Sequence, residues 1–121
     1  MAVRTLVIAA AAVVGAGVLA VGPYSGEAEA QSRAAALARG EAVYRKWCAP
    51  CHAPGPGHPG TQSLELRYRD TPLSPVLEER EDLTPELVKT FVRQGVLMMA
   101  PFRKTEITDA ELDDLAAYLT E

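Results

Sequence analysis

Apolar residues recur at helical spacing in three stretches of the chain. The first runs from about Arg33 to Trp47. Ala36, Gly40, Val43, Tyr44 and Trp47 share one face, and Ser32 is placed to cap the N-terminus. Gly40 in mid-helix costs about 1 kcal/mol relative to Ala, which makes sense where another helix crosses closely. The second runs from about Pro85 to Gln94, with Thr84 as N-cap, Pro85 in the first turn and Gly95 as terminator. Its expected inner face is Leu87, Val88, Phe91 and Val92. The third runs from about Asp109 to Leu119 behind the capping box Thr108-Asp109-Ala110-Glu111. Leu112, Leu115, Ala116 and Leu119 mark its inner face with Tyr118 beside it, and Asp113 and Asp114 read as solvated. Between His52 and Thr84 the pattern breaks. Ala53 to Gly60 is rich in Pro and Gly and reads as a loop, and Leu64 to Arg69 suits one short helix. The charge run Glu78 to Asp82 reads as a solvated face. Beyond the first thirty residues no run of four β-branched residues occurs, so the expected fold class is all-α.

The N-terminus has a different pattern. After Arg4, the stretch from Thr5 to Val21 carries no charge, and Gly22-Pro23 breaks it. Ala28-Glu29-Ala30 then offers small residues where a signal peptidase reads. Residues 1–30 therefore read as an export signal cleaved after Ala30, leaving one domain, residues 31–121, in the periplasm. The alternative is an uncleaved membrane anchor, for which the apolar run is barely long enough.

Composition narrows the function. The whole chain has 121 residues and a net charge of −4, which does not suit a nucleic-acid binder. At 48% hydrophobic residues it is not a disordered chain. A domain this short is marginal on its own core and calls for a staple such as a metal or prosthetic group.

Cys48-Ala49-Pro50-Cys51-His52 answers that need, because C-x-x-C-H is the attachment signature of a c-type haem. Two thiols at this spacing reach the two vinyl groups on one side of a porphyrin and form thioethers. His52 then falls under the iron as an axial ligand. One haem c per chain, covalently attached, becomes part of the core. Other readings are weaker. A Cys48–Cys51 disulfide closes a tiny loop and gains little. A zinc site lacks ligands beyond His52 and His58. Trp47-Cys48-Ala49-Pro50-Cys51 looks like a thioredoxin-type redox motif, but that motif needs a buried strand before it, and Ser32 to Trp47 is helical in pattern.

A carrier haem takes a second axial ligand, and Met raises the reduction potential. Apart from Met1, the methionines are Met98 and Met99, in a connector shaped by Gly95 and Pro101. One can point at iron while its neighbour packs elsewhere. His58 is the rival ligand. It lies too close to His52 along a Gly/Pro-rich loop to reach the opposite haem face easily, and reads as a solvated loop histidine. A sensor with an open sixth position is disfavoured by the two methionines.

With these features in place the chain resembles a small class I cytochrome c: a first helix with Gly40 and Tyr44, the C-x-x-C-H turn, a Met-bearing loop and a last helix carrying Tyr118. The resemblance implies three main helices wrapped around the haem. It also implies that the first and last helices cross with Gly40 at the crossing and Tyr118 near it. Ser74-Pro75-Val76-Leu77-Glu78-Glu79-Arg80, Val92-Arg93-Gln94-Gly95 and Met99-Ala100-Pro101-Phe102 are similar to the cytochrome subunits of 4-cresol dehydrogenase (p-cresol methylhydroxylase) and related eugenol and alkylphenol hydroxylases. Thr61 to Leu73 looks like an insertion relative to the cresol enzyme's subunit. That likeness implies a partner flavoprotein of the vanillyl-alcohol-oxidase type, which oxidises a phenol and passes on single electrons, and a further acceptor downstream. It implies Met99 rather than Met98 as the axial ligand, because the family places that Met four residues after the Gly of R-x-G. It also implies a Pro carbonyl for the proton of His52, with Pro59 and Pro75 both candidates. On this reading the chain is not itself an enzyme, has no catalytic residues and binds no nucleic acid. It meets a membrane only if the signal stays uncleaved. A free carrier to a terminal oxidase is the alternative function. Which of Lys46, Arg67, Arg93, Arg103 and Lys104 line a docking surface is not legible at this stage.

Overall fold

The computed structural model describes residues 24–121. Its helices are α1 (Tyr24–Trp47), α2 (Ala49–His52), α3 (Pro59–Tyr68), α4 (Pro85–Gln94) and α5 (Asp109–Leu119), with a 3-10 turn at Leu77–Glu79. Among the described residues there is no strand, only an isolated bridge between Val96 and Met99. The fold is small and all-α, as expected.

The two helices with the clearest end signals have the expected bounds. The Thr84 hydroxyl accepts from the Leu87 amide at 3.2 Å, and Pro85 starts α4. Gly95, at φ 70°, ends that helix with its amide on Phe91 O. In α5 the Thr108 hydroxyl accepts from Glu111 N at 3.2 Å, while the Glu111 carboxylate accepts from Thr108 N at 2.8 Å. Both orphan donors of the helix end are thus satisfied.

Elsewhere the structure corrects the reading. Helix α1 already covers Tyr24–Trp47, so Ser32 lies inside it and is not a cap. Glu27, Ala28, Glu29, Ala30, Ala34 and Ala35 are good helix formers or neutral, and nothing between them stops the helix. The expected cleavage point after Ala30 falls within α1. The apolar stretch Thr5 to Val21 lies outside the described residues. Helix α3 begins at Pro59, five residues before the expected Leu64, because a Pro in the first turn has the helical φ built in and sacrifices no hydrogen bond there. On α4 only Val88 and Val92 are buried. Phe91 stands at the surface and Leu87 is half-buried.

Helices α1 and α5 form the main packing pair. Their approach is set at Gly40, where a Cβ would lie 2.1 Å from Asp114 O and 2.7 Å from Tyr118 Cβ. The close crossing expected at Gly40 is therefore present, and it is a contact with backbone. Asp114 is not solvated as expected: its side chain is 17% exposed and takes both Arg39 Nε at 2.6 Å and Nη2 at 3.0 Å. One turn beyond Gly40, Tyr44 is fully buried with its ring 5.7 Å from that of Tyr118. Val43, Val88, Val92, Ile107 and the expected face of α5 (Leu112, Leu115, Ala116, Leu119) complete the apolar core together with Cys48.

Gly40→Ala tests the crossing. Overpacking against a carbonyl costs about 3 kcal/mol, and better helix propensity returns about 1 kcal/mol. A net loss of about 2 kcal/mol or more is expected in denaturant unfolding. Wild-type stability would show that the helices can separate freely.

Candidate functional site

The end of α1 runs directly into the cysteine turn. Cys48 N bonds to Tyr44 O at 2.8 Å, so Cys48 still follows the path of α1. Cys51 N and His52 N then both bond to Cys48 O, at 3.0 and 2.8 Å. The motif is thus one helical turn, which puts residues i, i+3 and i+4 on one face. Those residues are Cys48, Cys51 and His52. This is the physical sense of the spacing: a turn of helix presents two thiols and an imidazole side by side. The sequence reading missed α2 as a helix because Pro50 and the short length hide it, although Pro is tolerated in a first turn.

Both cysteines are free thiols; Cys48 is buried and Cys51 exposed. Burial, and secondarily the neighbouring Cys51, push the Cys48 thiol up to about 12. His52 is half-buried, and burial holds its imidazole below the usual histidine range, which favours the neutral, metal-ligating form. Its Nδ1 is buried without a hydrogen-bond partner. Neither Pro59 nor Pro75 therefore accepts from it, and the Pro59 carbonyl is instead taken by the Ser63 hydroxyl at 2.7 Å.

Carbonyls around the turn are held from outside. The Tyr44 hydroxyl donates to His52 O at 3.0 Å, and burial keeps that phenol protonated well above the usual tyrosine range. Thr61, 1% exposed, donates to Ala53 O at 3.0 Å. His58, expected to be solvated, is half-buried with Nδ1 3.2 Å from Pro50 O; the carbonyl can only accept, so Nδ1 carries the proton.

The second region is the connector after α4. Val96 and Met99 exchange both backbone bonds, at 3.0 and 2.9 Å, around a two-residue turn formed by Leu97 and Met98. Gly95 permits this fold-back: a Cβ there would lie 2.5 Å from Met99 O. The two methionines separate cleanly. Met98 is 95% exposed, whereas Met99 is half-buried against the core cluster that contains Cys48. Trp47, the residue before Cys48, meets the ring of Phe102 edge-on at 5.8 Å. The cysteine turn and the methionine connector are therefore packed on one another's neighbours.

Arg93 was read as the Arg of the R-x-G element and as a possible docking residue; the structure turns it inward. Its side chain, 22% exposed, donates to Phe102 O at 3.1 Å, Ile107 O at 2.9 Å and Asp109 Oδ1 at 3.0 Å. It ties the start of α5 to the chain just beyond Met99. Lys104, and then Arg93, hold the Asp109 carboxyl below the usual carboxylate range. Of the other candidates, Lys46 lies over its neighbour Trp47, Arg103 pairs with Glu106 and Lys104 with Asp109.

The donor set fits a covalently held haem. Two unpaired thiols and a neutral imidazole share one face of a helical turn, and a half-buried thioether packs on the same core. A short all-α domain with these groups in this order is a c-type cytochrome domain. The family model described as cytochrome c oxidase, cbb3-type, subunit III, matches residues 35–119, more than half of the chain, and the chain belongs to this family. Membership implies haem c bound covalently and an electron-transfer role. No curated protein and no solved structure gives a significant match.

Arg93→Gln should release two carbonyls and an ion pair at once. Bonds from a charged donor are worth about 1.5–3 kcal/mol, so a loss near about 2 kcal/mol is expected in thermal or denaturant unfolding. An unchanged unfolding midpoint would show that the connector is held by other contacts.

Proposed function

We propose that this protein is an exported monohaem carrier of single electrons, with no substrate chemistry of its own. The observation that carries this reading is the single turn that presents Cys48, Cys51 and His52 together. Cys48 and Cys51 would hold the haem as thioethers, and His52 and Met99 would ligate its iron. Bound in this way, haem supplies a one-electron ferric/ferrous couple. The chain's part is to keep both ligands fixed: α1 and Tyr44 hold the His52 backbone, and the Val96–Met99 turn and Arg93 hold the connector. A neutral imidazole and a thioether add no charge to the iron, and a Met ligand favours the ferrous state.

Export through residues 1–30 is part of the proposal. It is supported by the sequence pattern and by exposure: residues 26–35, on both sides of Ala30, are all exposed, so the expected cleavage point is accessible. The thiol-disulfide alternative loses support. The described residues contain no strand to frame such a motif, and a reactive thiol needs a lowered pKa where Cys48 has a raised one.

For a partner we propose a phenol-oxidising flavoprotein of the vanillyl-alcohol-oxidase type, on the strength of the local likeness around Ser74–Arg80, Val92–Gly95 and Met99–Phe102. The second reading, a free carrier to a terminal oxidase, is favoured by the oxidase named in the family description.

Met99→Ala should lower the reduction potential by at least about 0.1 V, within the roughly 0.8 V that axial ligation spans, and abolish the sulfur-to-iron absorption band. Met98→Ala should leave both unchanged. The reverse result would move the ligand to Met98.

The partner is tested by the absorption spectrum of the tagged chain purified from its native host. Flavin and haem bands in fixed ratio, with haem reduced on adding an alkylphenol, are expected. Haem bands alone favour the free carrier, and a spectrum without haem overturns the reading as a whole.

A further inference from the structure

Helix α3 contributes almost nothing to the apolar core. Thr61 is its one buried residue, and Leu66 is 67% exposed. Its main packing partner is the short cysteine turn α2. The features of its first turn serve that neighbour. His58, in the N-cap position, makes no capping bond for α3 and reaches Pro50 O instead. Thr61 gives its hydroxyl to Ala53 O, just past the end of α2. A one-turn helix leaves its last carbonyls without partners, so these donors supply what the turn cannot supply itself.

Gly60 stands between them, directly against the imidazole. A Cβ there would lie 2.7 Å from His52 Cε1, 2.8 Å from His52 Nδ1 and 2.7 Å from Cys51 O. No side chain fits unless the ring or the backbone of the turn moves. The absence of a side chain at residue 60 thus fixes how close α3 comes, and the face of α3 fixes where the ring can lie.

We propose that the first turn of α3 is a positioning element that sets the orientation of the His52 ring, with Gly60 bearing on its Nδ1–Cε1 edge and Thr61 anchoring the chain behind it. The inference rests on the reading of His52 as the iron ligand. Thr61, at the start of the segment that the sequence shows only as an apparent insertion, thereby gains a role. It acts on the ligand rather than on the substrate, the partner or the core.

The experiment uses the mature haem-loaded protein in its ferric state. NMR of the wild type comes first. Strongly hyperfine-shifted ring protons assigned to His52 establish the ligand, and their absence overturns the ligand reading itself. The haem-methyl hyperfine shifts, which follow the axial ring's orientation, are then compared among Gly60→Ala, Thr61→Val and the surface control Leu66→Ala. The expected result is a changed spread or order of the methyl shifts in Gly60→Ala, a smaller change in Thr61→Val, and a wild-type pattern in Leu66→Ala. A purely structural role would lower the melting temperature and leave the methyl pattern as in the wild type. That outcome for Gly60→Ala overturns the proposal. If Gly60→Ala yields no haem-loaded protein, Thr61→Val, which keeps the side-chain volume and removes only the donor, decides alone: a wild-type pattern there overturns it.

Discussion

The contact of Gly40 with the backbone of Asp114 sets the spacing of the whole domain. A side chain at residue 40 would push α5 away from α1, and the residues one turn on depend on that distance. Tyr44 reaches the ring of Tyr118 only because the helices are this close. Being fully buried there, its hydroxyl has a defined position from which to hold His52 O. The cost of glycine in a helix, about 1 kcal/mol, is therefore offset by an interface that also positions the functional turn. The Arg39–Asp114 pair sits at the same crossing, but Arg39 is largely exposed, and such a pair contributes little beyond orientation.

From this crossing the chemistry follows by continuity. Helix α1 does not end in a loop that must be ordered separately; Cys48 N bonds into its last turn. The position of the first thiol is thus inherited from the packing of α1 on α5. The second thiol and the imidazole follow from one further turn of helix. The other side of the site is anchored by different means, a glycine-permitted fold-back and an inward arginine. Trp47 against Phe102 joins the two sides. The buried apolar set is small for a stable domain, so the covalent haem implied by the family has a structural as well as a redox part to play.

Much of this was legible in the sequence where local chemistry decides the outcome. Thr84, Pro85 and Gly95 bound α4, and the Thr108–Glu111 box starts α5, because caps and terminators act within a few residues. Gly40 was legible because a mid-helix glycine needs a compensating reason. What was missed depends on contacts across the chain. His58 and Thr61 look like polar residues at the edge of a loop, and only the fold shows that each serves a carbonyl eight residues back. Arg93 and Asp114 look like surface charges, and their inward roles come from carbonyls and a partner brought near by other helices. The start of α1 was misjudged because Ser32 can cap a helix, yet no signal in the preceding Ala/Glu-rich stretch prevents one.

The adjacent methionines show how a local turn can resolve an ambiguity that residue type leaves open. In a two-residue turn the central pair must project from the tip, and the flanking pair is held by the bridging bonds. Leu97 and Met98 are the central pair, both 95% exposed, and Leu97 accepts a φ of 53° that an apolar residue seldom adopts. Met99 is a flanking residue, bonded through both its amide and its carbonyl. Its thioether therefore starts from a fixed backbone and lies half-buried, whereas that of Met98 has only solvent around it. Of the two, only Met99 combines a bridged backbone with a side chain packed on the core. The register set by Gly95 thus does more than end α4: it decides which of two chemically identical side chains is packed on the core and which stands in solvent.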